Sequence, residues 1–253
     1  MDPINGPATD TALSIFVGPA AGSGLTQVSQ RTILNELLQD LTELRRSDIY
    51  LVTTPDQRQW VDDILPDSDH FHLRLNESVD RSTLPSEVQS TVRELFESGY
   101  ENVLAMAADT PGLGIAHVRD AIARLRNSDE TAVVGPAGDG GFYLLGLNTY
   151  REDVLRDVPF YVGNTYESLL DRLDELYSRI EQLEPLNDVD RPTDWLSIKS
   201  RWLVSYQWIF ELAYFLVFGN GIPTSFGTRI SETPKTFLSR NYRSPPLLPI
   251  ISH

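Results

Sequence analysis

Apolar residues follow two alternating rhythms along the chain. Leu13 to Val17 is a short apolar run that stops at Gly18-Pro19-Ala20-Ala21-Gly22-Ser23-Gly24, a composition that marks a turn. Beyond it, Leu34, Leu37, Leu38, Leu41 and Leu44 fall three and four apart, so the spacing predicts an amphipathic helix over about residues 27 to 46. Strand, Gly-rich turn and helix in that order open a βαβ unit.

The alternation continues through the next 130 or so positions. Ile49 to Thr53 predicts a strand closed by Thr54-Pro55, followed by a short helix to about Ile64, and Phe71 to Leu75 predicts another strand. Leu84, Val88, Val92, Leu95 and Phe96 predict a helix stopped by Gly99, and Val103 to Ala108 a buried strand halted at Asp109-Thr110-Pro111. Ile115, Val118, Ile122 and Leu125 predict a helix; Ala132 to Val134 and Phe142 to Leu147 predict two strands separated by a glycine turn. A last helix carries Leu169, Leu173, Leu176 and Ile180, with Asn164 and Glu167 in capping-box spacing. Helices alternating with short apolar strands predict the α/β class, a mostly parallel sheet with helices on both faces. Such sheets bind ligands at the carboxyl ends of their strands.

Around this domain, residues 13–198, the chain divides further. Residues 1–12 predict a flexible start, with neither a basic region nor the apolar run of a secretory signal, so the expected location is cytoplasmic. Residues 199–218 hold the most hydrophobic stretch, Trp202 to Phe218, interrupted by Ser205, Gln207 and Glu211. As a helix it is about 26 Å long, at the short limit for crossing a bilayer, and Glu211 near its middle opposes insertion. It predicts a helix packed on the domain or on a second subunit as a homodimer, and the flanking Lys199 and Arg201 leave a membrane-peripheral contact open. Residues 219–253, rich in Pro, Ser and Gly, predict an irregular basic tail.

Charge separates the same parts. The chain has 21 Lys+Arg against 36 Asp+Glu, a net −15, and no cysteine. Its first 198 residues contain no lysine and carry −19, while residues 199–253 carry +4. A field of that sign repels nucleic acid, which is excluded as a partner. Two readings fit the excess: adaptation to a high-salt cytoplasm, and an ordinary acidic protein with a codon bias toward arginine.

Candidate chemistry sits in three loops at predicted strand ends. Gly22-Ser23-Gly24 would let a phosphate approach backbone N–H groups at the following helix, although a plain turn has the same composition. Asp109, at the end of a buried strand and held by Pro111, suits a hard cation that also holds a diphosphate; capping the next helix is the simpler role. The run from Gly135 through Gly138, Asp139, Gly140 and Gly141 to Phe142 and Tyr143 has more glycine than a hairpin needs. It leaves room for a ligand against backbone, beside aromatics able to stack on a sugar or base. Later, Asn187-Asp188-Val189-Asp190 offers a second carboxylate, or merely helix-capping acids.

Together, Gly99-Tyr100, Asp109-Thr110-Pro111, Gly135-Pro136-Ala137, Asp139 to Leu147 and Asp188-Val189-Asp190 resemble the DUF2064 family of glycosyltransferase-A-like proteins, over about residues 30 to 197. The resemblance implies a Rossmann-like GT-A fold of the nucleotide-diphospho-sugar transferase type, a nucleotide or nucleotide-sugar substrate and a divalent cation, Mg²⁺ or Mn²⁺. It implies that Asp109 and Asp190 hold the metal, that Asp139 is catalytic, and that Gly140, Gly141, Phe142 and Tyr143 lie beside the transferred group or acceptor. One departure stands out. Where the family opens with a basic loop, this chain has Gly22-Ser23-Gly24-Leu25-Thr26-Gln27, and its first arginine is Arg31. Losing those cations removes charge neutralisation from a phosphate leaving group, unless Arg31 turns inward to replace them. The activities to weigh are therefore glycosyl transfer from a nucleotide-diphospho-sugar, nucleotidyl transfer from a nucleoside triphosphate, and nucleotide binding without catalysis.

Overall fold

The computed structural model describes residues 7, 9–18, 24–77 and 82–187. Gly22, Asp190, the apolar stretch 199–218 and the tail 219–253 lie outside them, so the expectations placed on those residues are not met or refuted by the fold. Most of residues 1–12 lies outside as well.

Six consecutive buried residues, Thr11–Phe16, form β1 in the interior of the sheet. It pairs in parallel with β2 (Asp48–Thr53) on one side and β4 (Asn102–Ala107) on the other. With β3 (Phe71–Leu75), β5 (Thr131–Pro136), β6 (Phe142–Leu147) and β7 (Arg179–Gln182), the seven-stranded order is β3-β2-β1-β4-β6-β5-β7. Every pairing is parallel except those of β6, which runs antiparallel between β4 and β5.

Alternation along β1 assigns each helix to a face. Leu13, Ile15 and Val17 join a cluster with Leu34 and Leu38 of α1 (Gly24–Leu41), Val61 of α2 (Arg58–Asp62), and Val118 and Ile122 of α4 (Ile115–Arg126). Ala12 and Phe16 point the other way, to Val88 and Val92 of α3 (Leu84–Glu97) and Leu169 and Leu173 of α5 (Thr165–Leu176). Each fully buried aliphatic side chain removes about 1.5–3 kcal/mol worth of apolar surface from water, so the two clusters lock helices to both faces. The α/β, doubly covered, mostly parallel sheet expected from the sequence is the observed one.

Three local expectations need correction. The last helix ends at Leu176, because Tyr177 is extended (ψ 141°), and Ile180 sits in β7 opposite Ala132 rather than on the helix. Asn164 occupies the N-cap of α5 but its side chain makes no capping hydrogen bond. Leu44 lies beyond α1, in a turn where Ser47 N–H donates to the Leu44 carbonyl at 3.1 Å. Among the described residues no helix is long and apolar enough to cross a membrane.

Candidate functional site

Strand order reverses at β1, since the chain proceeds to β2 and β3 on one side and returns to β4 on the other. The loops leaving β1 and β4 lie side by side at the carboxyl edge of the sheet and lead to α1 and α4, which pack on the same face, and the strand ends at such a reversal are where doubly wound sheets take ligands. Because β6 is antiparallel, the β5–β6 connection returns to this same edge.

The first wall is the start of α1. Gly24 is its first residue, and no acidic residue occupies its first turn, so the helix dipole meets no carboxylate of its own there. Gln30 is buried and its Nε2 donates to the Gly18 carbonyl at 3.1 Å, tying the helix to the end of β1. Arg31 does not supply a buried cation. It is half exposed and its guanidinium lies 3.5 Å from Asp63, just beyond α2. The expectation that it replaces the basic loop finds no support in that geometry.

The second wall is the β4 end. Asp109 is partly buried, and Thr110-Pro111-Gly112-Leu113 form a tight turn closed by Leu113 N–H donating to the Thr110 carbonyl at 3.2 Å. Gly112 has φ +84°, which with proline before it is type II turn chemistry. Asp109 is not the N-cap of α4. The N-cap of α4 is Gly114, and the carboxylate that accepts the Ile115 N–H is Asp40, from the end of α1. Burial, aided by the neighbouring Glu43 charge, raises the Asp40 carboxyl above its usual range, and the Ile115 hydrogen bond opposes this. Beside Asp109, the Thr110 hydroxyl is buried without a hydrogen-bond partner among the described residues.

The third wall is the loop 137–141, and its glycines are dictated by contacts. Ala137 N–H donates to the Gly141 carbonyl (3.0 Å) and Gly140 N–H to the Ala137 carbonyl (3.2 Å). Gly140 has φ +90°, and a Cβ there would stand 2.1 Å from the Gly163 carbonyl oxygen. Its own carbonyl accepts the Tyr166 N–H at 2.8 Å, while Gly138 N–H donates to the Leu186 carbonyl at 2.8 Å. The loop is thus strapped on two sides. Asp139 stands exposed on it, one carboxylate oxygen accepting the Gly141 N–H at 2.8 Å. A Cβ on Gly138 would lie 2.0 Å from Asn187 Oδ1, so Asn187 stands directly beside this loop; Asp188, Val189 and Asp190 lie outside the described residues.

Tyr143 departs from the expected role. It is 1% exposed, its hydroxyl donates to the Glu184 carbonyl at 2.9 Å, and its ring lies over Gly135, where a Cβ would come within 2.3 Å. Burial, with the Glu184 and Asp120 carboxylates nearby, pushes its phenol well above the usual tyrosine value. Tyr143 is a core residue and has no face to offer a sugar. Phe142 is partly exposed and meets Phe160 edge-on with centroids 5.7 Å apart.

Phe160 introduces a feature the sequence reading did not include. Tyr161 (50% exposed) and Val162 (46% exposed) follow it on a shelf next to the loop, joined through the Gly140–Gly163 contact. Tyr161 has φ +61°, a conformation that costs a bulky residue about 1–2 kcal/mol. Three large apolar residues between Pro159 and Gly163 in a loop were the available signal.

Metal ligands are sparse. Among the described residues no group of three or more His, Asp or Glu side chains is placed to hold an ion. Mg²⁺ does not require such a group, since it is commonly bound by one or two carboxylates with waters and substrate phosphates completing its shell. Asp109 fits that mode.

The family described as "Uncharacterized protein conserved in bacteria (DUF2064)" matches residues 37–161, in agreement with the resemblance drawn from the motifs over that span; Asp188-Val189-Asp190 lies beyond it. No curated protein matches the chain. Among solved structures, a protein from Desulfovibrio desulfuricans G20, provisionally assigned as a nucleotide-diphospho-sugar transferase, is 23% identical. That likeness covers 74% of this chain and 84% of that one, with a TM-score of 0.61. The 4-diphosphocytidyl-2C-methyl-D-erythritol synthase from Anaerococcus prevotii DSM 20548 is 14% identical, with 74% and 94% covered and a TM-score of 0.51. At these identities the likeness carries the fold alone: the chain shares the Rossmann-like α/β fold of these two proteins.

Proposed function

We propose that the protein is a transferase acting on a nucleotide-diphospho-sugar, with the donor in the crevice between β1 and β4 and the acceptor against the loop 137–141. The observation that carries this reading is convergence: an acid-free helix start, a partly buried strand-end carboxylate and a glycine loop with an exposed carboxylate share one edge of the sheet. Helix α1 would meet the donor phosphates with backbone N–H groups and its dipole. Asp109 would hold a divalent cation such as Mg²⁺ or Mn²⁺, with Asp190 as second ligand, and the cation would offset charge on the diphosphate as the sugar–phosphate bond breaks. Asp139, oriented by Gly141 N–H, would accept a hydrogen bond from the acceptor hydroxyl and set its approach. Phe142, Phe160 and Tyr161 offer apolar faces on which a sugar ring or aromatic acceptor packs.

A specific observation favours a second reading, nucleotide binding with weak or no catalysis. Neither Lys nor Arg occurs in the described parts of the loops after β1, β4 and β5, and Arg31 is paired with Asp63. Nucleotidyl transfer from a triphosphate suffers most from that lack, because more charge develops on its pyrophosphate leaving group. Calorimetry against nucleoside triphosphates and nucleotide-diphospho-sugars, with and without Mg²⁺ or Mn²⁺, tests all three. Metal-dependent binding of a nucleotide-sugar with turnover supports glycosyl transfer. Pyrophosphate release from a triphosphate supports nucleotidyl transfer, and binding without turnover supports the third.

A further inference from the structure

The arginines of this lysine-free domain are nearly all consumed by its carboxylates. Among the described residues, every arginine but two forms an ion pair with Asp or Glu. The two exceptions are adjacent, Arg45 and Arg46, and in a sequence with more than twice as many acidic as basic residues over positions 1–198 that isolation is unexpected. They form the apex of the turn between α1 and β2, whose buried ends, Leu44 and Ser47, are joined by the Ser47 N–H to Leu44 carbonyl bond.

Both line one cavity of about 420 Å³. Its opposite wall is a single face of α4, where Arg119, Ile122, Ala123 and Arg126 recur at helical spacing. Arg119 and Arg126 are held in place by Glu43 and Asp10, so two anchored guanidinium groups and two without a carboxylate partner among the described residues surround an apolar floor of Leu44, Ile122 and Ala123, with the Glu43 carboxylate, itself part of the lining, engaged by Arg119. Guanidinium forks match phosphate oxygens two at a time, and the apolar floor accommodates a carbon skeleton attached to the phosphate. The cavity is not part of the crevice. Arg126 pairs with Asp10 just before β1, whereas the crevice opens beyond its other end at Gly18, on the order of 25 Å away at 3.3 Å per residue.

We propose that this cavity is a second ligand site, taking a small organic phosphate whose phosphate lies on Arg45 and Arg46 and whose apolar body lies on Leu44, Ile122 and Ala123. It stands independently of the crevice assignment.

The test titrates phenyl phosphate and inorganic phosphate into the full chain at low ionic strength with EDTA present, following heat or amide shifts. Phenyl phosphate is expected to bind, and to bind at least five times more tightly than inorganic phosphate. R45A/R46A should weaken it at least tenfold, while R58A/R93A, which removes two positive charges elsewhere, and D109N should change it less than twofold. Arg45 and Arg46 are exposed and form no ion pair among the described residues, so the double variant should keep the wild-type melting temperature, and each single variant should show a partial loss. No binding by the wild type, equal loss in R58A/R93A, or equal affinity for the two phosphates would overturn the proposal.

Discussion

Gly140 and Gly163 touch backbone to backbone: a Cβ added to Gly140 would stand 2.1 Å from the Gly163 carbonyl oxygen and 2.8 Å from its carbon. This contact holds the loop bearing Asp139 against the shelf bearing Tyr161.

Gly140→Ala is therefore expected to cost at least about 2 kcal/mol, since φ +90° disfavours any side chain and the opposing atoms are backbone that cannot rotate away. Urea unfolding measures it. Gly163→Ala, whose Cβ would meet nothing within 4 Å, should cost much less.

Tyr143→Phe removes a buried hydroxyl and leaves the Glu184 carbonyl without that donor, so a loss of about 1 kcal/mol is expected. Ligand affinity should be unchanged, because the ring is enclosed by Gly135 and the core. Paired denaturation and binding measurements separate the two effects; a large affinity loss at constant stability would contradict the core assignment.

Asp40 gives a pH signature. Its folded pKa is raised above the unfolded value, so between the two the folded state binds more protons and this group's contribution makes stability fall as pH rises through that window. Asp40→Asn keeps an acceptor for the Ile115 N–H without the charge. The variant should be at least as stable as wild type at pH 7, with any advantage shrinking as the pH is lowered into the carboxylate range, as read from urea midpoints.

Much of this architecture was readable because strand and helix faces impose different periods. The strand at Leu13–Val17 and the Leu34–Leu41 stripe already define β1, α1 and the edge they share. Misreadings arose where two periods coincide or where pairing matters. Leu169, Leu173, Leu176 and Ile180 fit a helix, yet the chain extends at Tyr177 and Ile180 pairs with Ala132; the short edge strand Arg179–Gln182 has charged alternate positions and no apolar run to announce it. That Tyr143 faces the core and not a ligand is not legible in the sequence, because the β5–β6 register, shifted between Gly135 and Pro136, is what seats its ring on Gly135. Arg45 and Arg46 stood out only once every other described arginine had found its carboxylate.

The central claim is that the crevice holds a nucleotide through a divalent cation on Asp109, and calorimetric titration of the best-binding nucleotide or nucleotide-sugar into wild type and Asp109→Asn tests it most directly. Binding to the wild type should require Mg²⁺ or Mn²⁺ and should weaken at least tenfold, about 1.4 kcal/mol or more, in the variant while the melting temperature is retained. Equal affinity of the two proteins with the metal present would contradict the account.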